Sequence, residues 1–584
     1  MKKEVSELQK LMKAQGLSAF VITSEDYHGS EYVNDHFTAR EHFSGFTGSA
    51  GTLVILQDEA ALWTDSRYFL QAADQLAGSD ITLMREHEKD VPTIPEYLEK
   101  KLGDGCVIAG DLRTFNYPFG HELEKIAEKK KGRIEHSEIA DEVWTDRPVL
   151  SSKPVFILDE KYAGKSAADK LAAIREEMKK KGAEVHVLST LVDIAWTLNL
   201  RGNDVDHTPV FYAYMLLTAD KTLLYIFDEA LSPSVCEYLA KIGVETRPYD
   251  AFYDELKGLI GGSKVLACKA GLSYALYAKL DKDALVDALN PSDIMKAIKN
   301  STEIENIRQA NVTDGAAMVR FLYWLKTNIG KIPMTEISAT EKLDGLRRQA
   351  GALDTSFETI AGYGPHGAIV HYSATPETDA TLEPKGLFLV DSGGHYLTGT
   401  TDITRTVVLG EITEEMKLHF TLVLKGTLDF AMASFTEGIF GAQLDVLAHG
   451  PMWKYGITYK HGTGHGIGYL LSVHEGPQNI SFALRPGAVP MQEGMLTSDE
   501  PGIYIEGSHG IRTENDILCV RRGEMLAFET LTLCPIDREA ILPELLTVEE
   551  REFLNNYHKK VYEKLAPELN ADEAKWLAQA TAEI

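Results

Sequence analysis

The chain has 584 residues, too many for one core, and at about 150 residues per domain it holds three or four. Hydrophobic residues make up 44% and charged residues 25%, which excludes wholesale disorder. With 59 Lys and Arg against 87 Asp and Glu, the formal net charge is -28; such a surface repels nucleic acid and anionic membrane, so neither is expected as a partner.

The N-terminal "MKKEVSELQK" has two lysines but no apolar segment behind them, so it does not read as a secretory signal. Val5, Leu8, Leu11 and Met12 share one helical face, Gly16 ends that helix, and "SAFVIT" follows as a strand. "TLVILQDEAALWTD" then reads as two apolar strands around a polar turn. The same order recurs further on. Leu171, Ile174 and Met178 line a helix, Gly182 closes it, "EVHVLS" is a strand, and "YMLLTADKTLLYIF" is a second strand pair. Two related α/β domains are the natural inference, with coincidence among common helix–strand units as the alternative. "TDRPVLSSKP" and "LNPSDIMKAIKNSTEIENI" read as linkers, which sets domains at 1–148, 149–299 and 300–584. Thr302 and Glu305 have the spacing of a capping box that opens a helix. Cys106, Cys236, Cys268, Cys519 and Cys534 are odd in number and form no CxxC pair, against both a disulfide framework and a zinc ribbon. No run of about 18 apolar residues occurs, so no membrane span is expected, and a reducing cytoplasm is the simplest location.

Beyond residue 300 glycine, histidine and hairpin-like strands become frequent. In "LFLVDSGGHYLTGTTDITRTVVL" an apolar strand runs into Asp391 and a second strand carries Asp402. In "MLTSDEPGIYIEGSHGIRTENDILCV" Glu500 and Glu514 flank a turn in the same manner. His465, inside "HGTGHGIG", lies between the two hairpins. An acid at the end of an apolar strand is costly unless it is paired or metal-bound. Four carboxylates at close quarters do not stay ionised without compensation, and two divalent cations balance them where one does not. Oxygen-rich ligation with a single nitrogen favours Mn(II) or a similar ion over a structural zinc, with Co and Zn tolerated. Taken singly, each acid is more often a turn residue or a surface charge; the pair of hairpins with a central Gly-flanked histidine is more specific, and spacing alone still leaves the metal and the bland readings open.

With "GAIVHYSATPET", "VDSGGHYLTGTTDITRT", "HGTGHGIGYLLSVHEGP" and "SDEPGIYIEGSHGIRTEND" together, the chain resembles the pita-bread metallopeptidases. It is most similar to the long, three-domain aminopeptidase P group, and "EYVNDHFTAREHFSGFTGSAGTLVI", "ALWTDSRYFLQAA" and "LTLCPID" extend the likeness over nearly the whole chain. The resemblance implies an α/β (α+β) architecture of two creatinase-like N-terminal domains and a C-terminal pita-bread catalytic domain. It implies that Asp391, Asp402, His465, Glu500 and Glu514 hold two divalent ions, with Asp402 and Glu514 bridging them. A hydroxide between the ions is then the nucleophile, and Glu500 moves its proton toward the leaving nitrogen. His371 and His474 are expected to hydrogen-bond the substrate and stabilise the tetrahedral intermediate, and His461 to line the wall for proline. Arg512 is expected on the same strand face as Glu514, paired with a ligand carboxylate and near the substrate, with Tyr504 close by.

The implied activity is hydrolysis between an N-terminal residue and a penultimate proline. The implied partners are such peptides and a second copy of the chain, as a homodimer through the catalytic domain. Prolidase, a ligand-poor binding module and a metal-free creatine amidinohydrolase relative are the alternatives. The first acts on dipeptides only, and the other two lose metal ligands that are all present here. "GTGHGIG" is neither GxGxxG nor a Walker loop, "HEGPQ" lacks the second histidine of HExxH, and "EKKKGR" reads as a solvated helix end.

Overall fold

The computed structural model describes residues 2–484 and 487–584. Its chain divides into two compact units, Met1–Ile157 with Lys165–Ser292, and Leu158–Gly164 with Asp293–Ile584.

The first unit contains two six-stranded sheets of one topology. Helix α1 (Lys3–Gln15) buries Val5, Leu8 and Met12. The strands of the first sheet are β1 (Ala19–Ile22), β2 (Thr52–Leu56), β3 (Ala60–Thr64), β4 (Ile81–Arg85), β5 (Val107–Gly110) and β6 (Arg133–His136). Their order is β4-β3-β2-β1-β5-β6, with the β1–β2 and β2–β3 pairs antiparallel and the others parallel. Successive residues of a strand point to opposite faces, and both faces are covered. Phe20, Ile22, Leu53 and Ile55 join one apolar cluster, and Ala19, Val21, Val54 and Leu56 join another.

After α2 (Ala167–Lys180) the pattern repeats through β7 (Val185–Leu188), β8 (Ala213–Thr218), β9 (Thr222–Ile226), β10 (Val244–Pro248), β11 (Val265–Ala267) and β12 (Leu285–Asp287). The order β10-β9-β8-β7-β11-β12 has the same strand directions as the first sheet. The helix–glycine–strand echo in the sequence is therefore a repeated topology.

The second unit opens with α3 (Ser301–Asn328), where one expectation is corrected. The capping box is formed by Asn300 and Glu303, not by Thr302 and Glu305. Asn300 Oδ1 accepts from the Thr302 and Glu303 amides at 3.0 Å, and Glu303 accepts from the Asn300 amide at 2.9 Å. Thr302 already lies inside the first turn, so its own hydroxyl is not the one that caps.

Helix α4 (Glu336–Gln349) leads to β13 (Ile360–Tyr363), which pairs antiparallel with β14 (Leu387–Ser392), and β14 pairs antiparallel with β15 (Ile403–Val408). Phe388, Val390, Ile403 and Val407 enter one apolar cluster, so Asp391 and Thr404 project from the opposite face. Helices α5 (Glu414–Ala431) and α6 (Gly441–Trp453) follow, then β16 (Gly464–His465). Strand β17 (Leu496–Asp499) pairs antiparallel with β20 (Asn515–Arg522), and between them lies the hairpin β18 (Gly502–Ile505) and β19 (His509–Arg512). Strand β21 (Met525–Thr530) extends the sheet, and helices α7 (Val548–Leu565) and α8 (Ala571–Ala580) close the chain with Leu554, Val561, Leu565 and Leu577 in the core.

At one point backbone meets backbone without room for a side chain. A Cβ on Gly510 would lie 1.6 Å from the Gly367 carbonyl oxygen, which brings the segment after β13 directly onto β19. Among the described residues no helix is long and apolar enough to cross a membrane.

Candidate metal centre

Five side chains from strands and the residues that flank them converge in the second unit. Asp391 comes from β14, Asp402 from the turn before β15, His465 from β16, and Glu500 and Glu514 from the residues after β17 and before β20. Donor atoms of Asp391, Asp402 and Glu514 lie within 4.8 Å of one another, as do those of His465, Glu500 and Glu514. A third group within the same limit joins Asp402, His465 and His474. His465 Nε2 is 3.4 Å from both Asp402 Oδ2 and Glu500 Oε1. Its Nδ1 is 3.0 Å from the Gly466 carbonyl oxygen. A carbonyl only accepts, so Nδ1 carries a proton and Nε2 is the atom turned to the carboxylates, the atom by which a histidine oriented in this way binds a metal.

The carboxylates are oriented from behind. Arg512 Nη2 donates to Asp391 Oδ2 at 2.6 Å, while Asp391 Oδ1 is buried without a hydrogen-bond partner. The Thr404 hydroxyl donates to Glu514 Oε2 at 2.6 Å, and the Ser498 hydroxyl to Glu500 Oε1 at 3.3 Å. Burial pushes Asp391 up to about 6, with Asp402 and Glu500 adding to the rise and Arg512 opposing it. Burial also pushes Glu514 well above the carboxylate range, helped by Asp402, Asp391 and Glu500. His465 is lowered by burial, yet the Asp402 bond and the Glu500 charge outweigh this and raise it to about 9. Burial is the largest cause in each case; the neighbouring carboxylates add to it at Asp391 and Glu514 and oppose it at His465, a combination that a bound cation would relieve. An orphaned carboxylate oxygen, a histidine with Nε2 aimed inward and an oxygen-rich donor set fit divalent metal ions.

The remaining expected residues gather round this cluster. His474 meets the His465 ring edge-on, with centroids 4.2 Å apart. Arg512 Nη1 donates to the Tyr504 hydroxyl at 2.7 Å, and that hydroxyl is 2.9 Å from His461 Nε2. His461 Nδ1 is 2.8 Å from the Gly462 carbonyl, so Nε2 accepts the Tyr504 proton. Burial lowers the pKa of His461, in keeping with this neutral form. His371 is partly buried, and the preceding carbonyl, of Val370, lies 3.4 Å from Arg512 Nη2. A Cβ on Gly466 would lie 2.0 Å from the Glu475 carbonyl oxygen, so this glycine lets the loop run against the segment that follows His474.

Some contributors were not singled out in the sequence. Thr404 and Thr406 alternate with the core residues of β15, and the same period of two that places Asp402 could have found them. Thr406 Oγ1 accepts from the Arg512 amide at 3.1 Å and donates to the Arg512 carbonyl at 3.0 Å. Asp499 is fully buried with both oxygens unpartnered, and burial together with the Glu500 charge keeps it well above its ordinary pKa. Lys299 and Glu475 form a buried pair at 3.1 Å that no local pattern announces.

Residues 305–521 match the model of metallopeptidase family M24, and residues 524–584 match the C-terminal region of that peptidase. Residues 5–143 and 146–303 each match a creatinase/prolidase N-terminal domain. Aminopeptidase P2 of Arabidopsis thaliana is 38% identical over 98% of this chain and 87% of its own. A solved X-prolyl aminopeptidase from Caenorhabditis elegans, described as a cytosolic enzyme with a di-nuclear active site, is 33% identical. It superposes with a TM-score of 0.95 over 100% of this chain and 99% of its own. An Xaa-Pro dipeptidase from Bacillus anthracis is 25% identical, with a TM-score of 0.52 over 65% of this chain and 100% of its own.

Proposed function

This chain belongs to metallopeptidase family M24, and from that premise we propose that it is a metal-dependent aminopeptidase that hydrolyses the bond between an N-terminal residue and a penultimate proline. The observation that carries the reading is the convergence of Asp391, Asp402, His465, Glu500 and Glu514, with an unpartnered oxygen on Asp391 and Nε2 of His465 turned inward. These five residues hold two divalent ions, Mn(II) by preference and Co or Zn as substitutes. Such ions, when bound, lower the pKa of water enough to supply a nucleophile near neutral pH and polarise the scissile carbonyl.

The other steps belong to the chain's own side chains. Arg512 and Thr404 fix one oxygen each of Asp391 and Glu514, and the second oxygen of Asp391 stays unpartnered. Glu500 takes a proton from the attacking water at its carboxylate and returns it to the proline nitrogen, which leaves as an amine. His474 and His371 donate hydrogen bonds to the carbonyl oxygen as it gains charge. His461, held neutral by Tyr504, offers an apolar ring face to the proline. A tertiary X–Pro amide has no N–H to recognise, so shape and ring contact replace the usual hydrogen bond.

The same reading takes 1–148 and 149–299 as two N-terminal domains and 300–584 as the catalytic domain, in keeping with the repeated sheets. It places the protein in the cytoplasm and pairs two copies through the catalytic domain, where Val446, Trp453, Tyr455 and Phe482 are exposed. Timed product analysis on Arg-Pro-Pro with and without Mn(II) is the test. Release of free arginine that depends on the metal is expected. Cleavage confined to dipeptides would make the enzyme a prolidase, and absence of turnover with both ions bound would make the domain a binding module.

A further inference from the structure

The segment that carries His371 is fastened to a carboxylate outside the metal cluster. Glu336 opens helix α4 and is fully buried. Four donors surround its two oxygens, and all come from residues 363–380. The Tyr363 amide reaches Oε1 at 2.7 Å, the Ala380 amide reaches Oε2 at 3.0 Å, and the Tyr372 hydroxyl reaches Oε2 at 2.9 Å. His366 Nδ1 completes the set at 2.9 Å from Oε1. The His366 ring stacks on Tyr372 with centroids 4.4 Å apart, so two of the four donors also brace each other. Tyr372 is the next residue after His371.

The far side of this segment is equally constrained. Gly367 lies against Gly510 of β19, the strand that ends in Arg512, and Val370 offers its carbonyl to Arg512. The segment is thus pressed onto the strand beside the metal cluster on one side and drawn to Glu336 on the other. A buried carboxylate with this many donors is costly to rearrange, because each donor released inside the core loses its partner. That stiffness suits a side chain that must meet a developing oxyanion, since a displacement of about 1 Å at such a group costs on the order of 100-fold in rate.

We propose that Glu336 is a positioning residue for the peptidase reaction: it clamps the 363–380 segment so that His371 is held at the substrate carbonyl. The proposal rests on the substrate role given to His371 above. Glu336 touches neither the metal ligands nor the substrate, and it acts through Tyr372 and the backbone on either side of His371.

The test is a double-mutant cycle on the full-length, Mn(II)-loaded enzyme with Arg-Pro-Pro as substrate. Glu336→Gln is expected to lower kcat by about 10- to 100-fold, the range for groups that orient an active-site side chain, with two ions per chain retained. Combined with His371→Ala, it is expected to cost less than about threefold further, because its effect has already been lost with the histidine. An equal loss in both backgrounds overturns the clamp and makes Glu336 a fold residue only. Normal turnover in His371→Ala alone overturns the underlying role of the histidine, a separate failure. Should Glu336→Gln not fold, Tyr372→Phe removes one donor while the charge and the ring stack stay. Its kcat is expected to fall with KM little changed, and a wild-type kcat there overturns the proposal.

Discussion

Replacing Lys299 by methionine isolates one buried charge. Lys299 and Glu475 have side chains only 1% and 3% exposed, and Nζ lies 3.1 Å from Oε1. Nζ also donates to the Lys296 carbonyl at 2.7 Å, while Glu475 Oε2 has no hydrogen-bond partner. Glu475 depends on this one ammonium. Methionine matches the lysine stem in length and leaves the carboxylate in the core without its counter-charge. Removing one member of such a pair costs about 3–5 kcal/mol, whereas removing both together costs much less. Urea titration of the full chain, followed through the transition of the catalytic unit, is therefore expected to show a loss of about 3–5 kcal/mol for Lys299→Met. The double variant Lys299→Met/Glu475→Leu should recover most of it. Glu475 follows His474 directly, and its amide donates to Gly466 at 2.7 Å, so turnover should fall with stability in the single variant. A Lys299→Met protein within about 1 kcal/mol of wild type would show that Glu475 does not depend on this ammonium, and the argument from the buried pair would fail.

Three further outcomes follow from the geometry. Chelation should abolish turnover and Mn(II) should restore it, while His465→Ala and Glu500→Gln remain folded by circular dichroism but are not rescued; wild-type turnover in either would misplace the centre. His558 is fully buried, its Nε2 accepts from the Ile536 amide at 3.1 Å, and burial with the nearby Arg405 and Arg538 charges lowers it to about 3. The unfolded chain binds this proton from about pH 6.5 and the folded chain does not, so stability falls as pH drops from 6.5 toward 3. This histidine supplies up to about 1.4 kcal/mol per pH unit of that slope, and His558→Asn should show a correspondingly flatter pH–stability curve; equal slopes would contradict it. Gly510→Ala places a methyl group against the Gly367 carbonyl and should cost about 1–3 kcal/mol and much of the activity, measured by thermal unfolding and rate; a fully active, stable variant would mean the segment yields freely.

Local pattern marked the acids, since Asp391 lies at the end of an apolar strand and Asp402, Glu500 and Glu514 sit beside strand ends, but it left a turn or surface reading open, and the set of five came from the family resemblance. The repeated α/β topology showed through helix, glycine and strand in the same order twice. Short-range ambiguity misled at "NSTEIE", where two overlapping boxes share a spacing and the one two residues earlier caps the helix. Contacts that join distant segments had no signature. Lys299 and Glu475 are 176 positions apart, and Glu336 looks like any acid at a helix start until four donors are seen to meet it. Periodicity says which face of an element turns inward. It does not say which other element waits there.

The pairing of Asp391 with Thr404 across β14 and β15 has a consequence for how the molecule becomes correct. A shift of one residue in β14 would turn the Asp391 carboxylate to the face of Phe388 and Val390 and put Val390 or Ser392, depending on direction, opposite Thr404 in its place. The misaligned sheet could retain its ladder of backbone bonds and much of its compactness, yet it would hold one donor too few. On the proposed reading, metal uptake would act as a proofreader of strand alignment: a chain able to load both ions would have been checked at single-residue resolution.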